Sequence, residues 1–147
     1  MKALVVYDSM YGNTEQIATA IGSGITGDVS VLRAGEVEPQ QLEAIDLLVV
    51  GSPTQAGRAT MPVQTFLSEV AAPAVKGVRV AAFDTRIPTK WVMIFGYAAG
   101  RIARSLKNSG GNLVAAPEPF FVNGKEGPLQ DGELGRASSW GKTVAGS

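Results

Sequence analysis

Residues 5–21 read Val5-Val6-Tyr7-Asp8-Ser9-Met10-Tyr11-Gly12-Asn13-Thr14-Glu15-Gln16-Ile17-Ala18-Thr19-Ala20-Ile21. The hydrophobic period changes along this stretch. Ala3 to Tyr7 is a continuous apolar run, the pattern of a strand covered on both faces. Ile17, Ala20, Ile21 and Gly24 fall at i, i+3, i+4 and i+7, the pattern of a helix. Between them, Asp8 to Thr14 offers hydroxyls, a glycine and an amide, with no Lys or Arg. A turn placed there aims successive backbone N–H groups where the helix N-terminus carries partial positive charge, and the Ser9 and Thr14 hydroxyls add donors. That is a phosphate cradle of neutral dipoles. The same residues also suit a plain turn in which Ser9 and Thr14 end a strand and cap a helix.

Working outward, further apolar runs occur at Val29–Leu32, Leu47–Val50, Val78–Phe83 and Leu113–Ala116, the last resuming at Phe120–Val122. Helical spacing fills the gaps: Val63, Phe66, Leu67 and Val70 behind Pro62, and Ala99, Ile102, Ala103 and Leu106. A short helix is expected at Pro39–Glu43. A closing helix is expected from about Asp131, with Leu134, Ala137, Trp140 and Val144 inward. Alternating strands and helices predict right-handed crossovers in a three-layer α/β domain with a doubly wound, five-stranded parallel sheet. With 147 residues and no linker or repeat, one domain spanning 1–147 is expected. Ligands of such sheets bind beyond the carboxyl ends of the strands. The loops of interest are therefore Asp8–Asn13, Ser52–Thr60 and Asp84–Phe95.

The pattern Val5-Val6-Tyr7-x-Ser9-x-x-Gly12-x-Thr14-x-x-x-Ala18-x-x-Ile21 resembles the flavodoxin signature at every specified position. Length, element order and the three loops are similar to a short-chain flavodoxin as well. The resemblance implies a flavodoxin-like fold with strand order 2-1-3-4-5 and a bound FMN. Its phosphate would rest in Ser9, Met10, Tyr11, Gly12, Asn13 and Thr14. The second loop resembles the family segment bordering the isoalloxazine ring, which implies ring contacts from Pro53, Thr54, Gln55, Ala56, Gly57 and Arg58. In the family a peptide of this loop rotates towards the reduced flavin, and Gly57 is the residue suited to it because glycine accepts positive φ. An ordinary glycine turn is the simpler reading of the same residues. The third loop should supply the other wall from Asp84, Thr85 and Arg86. Family members usually place an aromatic there, and Trp91 is the nearest candidate, with Tyr97 second. Packing of either ring against the next helix is an equal alternative.

Two motifs are set aside. Gly22-Ser23-Gly24-Ile25-Thr26-Gly27 has the form G-x-G-x-x-G but follows a helix instead of opening one. It reads as a helix end and turn. Trp140-Gly141-Lys142-Thr143 ends like a P-loop, yet Gly135 stands one residue too far upstream and too little chain follows for the helix. A phosphoacceptor receiver domain shares the architecture but needs an acceptor carboxylate after the third strand, where Gly51-Ser52 stands.

Composition narrows the chemistry further. There is no histidine and no cysteine, which removes thiol nucleophiles, His-based triads and the usual metal sites. Any chemistry must then use carboxylates, hydroxyls, backbone groups or a bound cofactor. Thirteen basic and thirteen acidic residues cancel to zero, against a globally basic nucleic-acid binder. The cancellation is uneven. Residues 58–107 hold eight basic and two acidic side chains, net +6, and the remainder is −6. Flavodoxins resemble the reverse, being acidic near the ring. Cations there would stabilise the reduced, anionic flavin by a few kcal/mol at most, at an effective dielectric of ~20. The expected partner is an acidic redox protein or a small anionic substrate; dispersed solvated charges are the alternative. Two functions fit: an FMN electron carrier, or a small FMN-dependent oxidoreductase acting on a quinone, NAD(P)H or a tetrapyrrole-like substrate. The apolar start of the chain is too short for a signal peptide core or membrane span, so a cytoplasmic location is expected, with oligomeric state open.

Overall fold

In the computed structural model, residues 1–88 and 97–146 are described. The chain runs β1 (Lys2–Tyr7), α1 (Asn13–Ser23), β2 (Asp28–Arg33), β3 (Leu47–Pro53), α2 (Met61–Thr65), β4 (Arg79–Arg86), α3 (Ala98–Asn108), β5 (Asn112–Leu113), β6 (Glu118–Phe121) and α4 (Glu133–Ala145). All sheet pairings are parallel and the order is β2-β1-β3-β4-β5. Short 3₁₀ turns at Ala34–Glu36 and Pro39–Leu42 carry the chain from β2 towards β3, the second where a short helix was expected.

The central strands read as apolar runs because both faces are covered. Leu4, Val6, Leu48, Val50, Val80 and Ala82 face α2 and α3. The alternate residues Ala3, Val5, Tyr7, Leu47, Val49, Ala81 and Phe83 face α1 and α4. On that second side Phe83, Phe120 and Trp140 pack edge to face, with centroids 6.0–6.2 Å apart. Gly51 lies under this cluster: a Cβ there would sit 2.1 Å from the Phe83 ring.

Two expectations need correction, and the resumption of the fifth apolar run at Phe120 is seen as a second strand piece. The fifth strand is two pieces on one edge of β4, with Val80 opposite Leu113 and Phe83 opposite Glu118. Pro117 interrupts it, having no N–H to donate to the ladder. The helix behind Pro62 changes its turn: after Thr65 it widens over Phe66–Ala71, and Ala72 N–H reaches back five residues to the Leu67 carbonyl. The closing helix starts at Glu133, and Leu134 is exposed. The inward positions are Glu133, Ala137, Trp140, Gly141 and Val144, a spacing that leaves Leu134 at the edge of the buried face, about 20° beyond Gly141.

The two set-aside glycine motifs meet each other. A Cβ on Gly24 would lie 2.0 Å from the Ser138 carbonyl oxygen, and one on Gly141 2.2 Å from that of Ile21. They let α1 and α4 approach backbone to backbone.

Candidate functional site

A cavity of about 390 Å³ opens at the carboxyl ends of β1, β3 and β4, at the reversal in strand order. Ser9, Met10, Tyr11, Asn13 and Thr14 line it from the first loop. Pro53, Thr54, Gln55 and Ala56 line it from the second, and Thr85, Arg86 and Ile87 from the end of β4. Val122 and Lys125 complete it from a fourth segment.

The first loop is closed internally. Gly12 N–H donates to Ser9 Oγ at 3.0 Å, and Gly12 takes φ +90°, a left-handed conformation that favours glycine. Gly12 is also the residue before α1, and no side chain caps that helix. The plain capping role open to Ser9 and Thr14 is thus not what they do. The Thr14 hydroxyl instead pairs with the Thr85 hydroxyl at 2.8 Å, tying α1 to β4. The first-turn N–H groups of α1 are left to whatever enters the cavity. From β2, Arg33 braces the loop: its guanidinium donates to the Ser9 carbonyl at 3.2 Å and pairs with Asp8 and Glu15. Burial, then the 2.7 Å hydrogen bond to Glu15, pushes the Tyr7 phenol up to about 12.

The second loop folds into a two-residue turn. Gln55 N–H donates to the Arg58 carbonyl at 2.8 Å, and Arg58 N–H to the Gln55 carbonyl at 2.9 Å. Both central residues take positive φ, Gly57 at 79° and Ala56 at 48°. For Ala56 that is a strained conformation. Gly57 is buried, and its carbonyl accepts a 2.8 Å hydrogen bond from Arg101 Nε on α3. Ser52 anchors the loop, its hydroxyl accepting from Thr60 N–H at 3.0 Å.

The third group divides. Thr85 and Arg86 reach the cavity and Asp84 does not. Fully buried, Asp84 holds Arg86 through two hydrogen bonds of 2.7 and 2.8 Å and accepts from Ala99 N–H at 3.0 Å. Thr54 accepts from Ala98 N–H at 3.1 Å, so two strand ends cap α3. The Tyr97 ring lies 3.3 Å beneath the Arg86 guanidinium, packed on the arginine and off the cavity wall. Trp91 lies outside the described residues. Among the described residues Tyr11 is the one aromatic lining the cavity.

Gly12, Gly57 and Arg58 also stand off the cavity lining. The +6 segment does not gather around it either. Asp84 neutralises Arg86, and Arg79 bonds the Val144 and Ala145 carbonyls at the opposite end of the sheet. Arg58 faces a second cavity. Lys125, which the sequence reading did not single out, is an exposed cation that lines the cavity. Val122 and Leu129 bridge in antiparallel fashion, and Gly127 packs against the Asn13 side chain, which folds the intervening loop over the start of α1. The Asn123-Gly124 pair after an apolar run was the available hairpin signal.

Among the described residues no cluster of metal-ligating side chains occurs, and no helix is long and apolar enough to cross a membrane. Uncapped backbone donors at one end of an apolar-walled groove define an α/β domain for a phosphate-bearing cofactor. Comparison with known proteins gives it a family. The flavodoxin family profile matches residues 5–140, and the chain belongs to the flavodoxin family. It is 27% identical to a flavodoxin from the domain Archaea, covering 99% of this chain and 97% of that one, with a TM-score of 0.84. It shares its fold with oxidised Flavodoxin 1 from Bacillus cereus: 17% identity, 99% and 98% coverage, TM-score 0.81. It also shares its fold with the flavodiiron protein from Giardia intestinalis: 20% identity, TM-score 0.80, 99% of this chain but 35% of that one. Flavodoxin family proteins bind FMN and carry electrons. The donor set fits that group: free helix-end N–H groups and hydroxyls suit a phosphate, and Met10, Tyr11, Pro53, Ala56, Ile87 and Val122 suit a flat heterocycle.

Proposed function

We propose that this chain is a single-domain, cytoplasmic FMN electron carrier in which the main chain of residues 9–14 holds the phosphate. Ser9 and Thr14 lie beside those donors and Lys125 reaches in from above. Pro53 to Ala56 and Thr85 to Ile87 border the ring, with Tyr11 as its aromatic neighbour. The uncapped start of α1 at the floor of the cavity carries this reading: its donors need a partner, and a phosphate dianion suits them. The flavin supplies reversible electron uptake when bound. The chain orients it and keeps water from one face, and among the described lining residues no histidine, aspartate or glutamate stands beside it.

A second reading, a small FMN-dependent oxidoreductase, is favoured by one observation: an arginine-bearing cavity directly beyond the Gln55–Arg58 turn. Reconstitution with FMN followed by visible spectroscopy tests the first step, and a protein that stays colourless overturns the proposal. Steady-state turnover with NAD(P)H, with and without a quinone, then separates enzyme from carrier. Sustained turnover would replace the carrier reading with the oxidoreductase.

A further inference from the structure

The start of α1 and the loop before it carry two carboxylates next to the donors that a phosphate would use. Asp8 precedes Ser9, and Glu15 follows Thr14. Left alone, these charges repel an anion and compete with it for the positive end of the helix. The fold gives both a partner from another strand. Arg33, the last residue of β2, stands 3.6 Å from Asp8 and 3.4 Å from Glu15. Its guanidinium also donates to the Ser9 carbonyl at 3.2 Å and lies 5.3 Å from the Tyr7 ring centroid. The Glu15 oxygen that meets Arg33 accepts from the Tyr7 hydroxyl at 2.7 Å. Asp8, Glu15 and Arg33 all stay off the cavity lining, whereas Ser9 and Thr14 line it. One guanidinium thus gathers both carboxylates behind the loop while the donors face the cavity.

We infer that Arg33 is a positioning residue for the flavin phosphate: it cancels charge on Asp8 and Glu15 that would exclude a dianion, and so sets the preference for a phosphorylated over an unphosphorylated flavin. This deepens the functional reading by assigning the phosphate selectivity of the same site. It rests on that reading for the identity of the ligand and not for anion binding.

The test titrates FMN and, separately, riboflavin onto the flavin-free protein in low salt, read by quenching of flavin fluorescence. Arg33→Gln should weaken FMN about tenfold and leave riboflavin within about twofold, the scale of one uncompensated, partly exposed charge beside an anion. Adding Glu15→Gln, whose amide oxygen can still accept from Tyr7, should recover most of the loss. Lys76→Gln removes an exposed charge before β4, at the far end of the sheet, and should leave both ligands within about twofold. Equal losses for FMN and riboflavin would mean that Arg33 only supports the fold. That result, an unchanged FMN affinity, no recovery in the double variant or an equal loss in Lys76→Gln overturns the inference. A wild-type chain that takes up neither flavin overturns the carrier reading instead, and inorganic phosphate then decides the inference. Amide shifts at Gly12 to Glu15 should saturate with phosphate, weaken in Arg33→Gln and return in the double variant. Shifts that are absent or indifferent to Arg33 overturn it.

Discussion

The cavities on either side of the Gln55–Arg58 turn meet charge differently. The first has apolar walls and takes its polar groups mostly from main chain and hydroxyls, with Arg86 neutralised by Asp84 and Lys125 its other cation among the described residues. The second has two arginines among its described lining residues, with Gln64, Ser68 and Ser105 as its other polar side chains. Backbone donors are set by helix position and survive side-chain exchange; guanidiniums can be deleted one at a time. The first site should therefore break mainly through conformation and the second through its side chains.

The largest effect is expected where both sites depend on one strand. Gly51→Val drives a side chain into the Phe83 ring at the base of the β3 loop. It should cost about 3 kcal/mol by overpacking, read as a lower urea midpoint, and should damage both cavities. An unchanged midpoint would mean that the Phe83 cluster yields. Next, Gly12→Val forces a branched residue into φ +90° with open space around it, so strain and not collision is tested. At about 1–3 kcal/mol of strain, FMN affinity should fall ~10–100-fold, read by titration of the visible flavin spectrum.

Glu133→Gln reaches the first cavity indirectly. Its carboxylate accepts from Phe121 N–H at 2.8 Å and pairs with Arg136, steadying β6 and the loop that carries Lys125. The Arg136 hydrogen bonds hold the Glu133 carboxyl below its ordinary value of 4.5. A lowered folded value means that the contribution is complete above about 4.5 and is lost as pH falls through the folded value. The variant should be less stable by about 1–2 kcal/mol at pH 7, and the two urea midpoints should converge in acid. A gap that persists in acid would mean that the charge is not what matters. Smallest is Lys125→Gln, about threefold on FMN affinity at low ionic strength and nothing at high salt, as befits one exposed charge. A salt-independent loss would instead make Lys125 a fixed ligand.

Much of the fold is legible because its signals are local. Ala3–Tyr7 against Ile17–Ile21 states strand and helix by period alone, and the glycine and hydroxyls between them state a turn. The β5–β6 break was legible in Pro117 but competes with the apolar run around it. Leu134 misleads because helical spacing alone does not say that Glu133 takes the buried slot, which depends on Arg136 and on the N–H of a strand twelve residues earlier. In the third loop, Arg86 reads as a cation for the ring until buried Asp84 is seen to hold it.

By itself, then, the sequence determined the alternation of strands and helices, the sheet order through its flavodoxin signature, and a helix start left for a phosphate. Its lack of histidine and cysteine, read beside that signature, argued for chemistry borrowed from a flavin. Tertiary structure decided which loops share a cavity: Lys125 enters the first, Arg58 leaves it for the second, and Asp84 withdraws to cap α3. The reason is physical. Backbone conformation follows from neighbours within a turn or two, whereas the direction and pairing of a charged side chain follow from groups brought together only when distant segments close on the sheet.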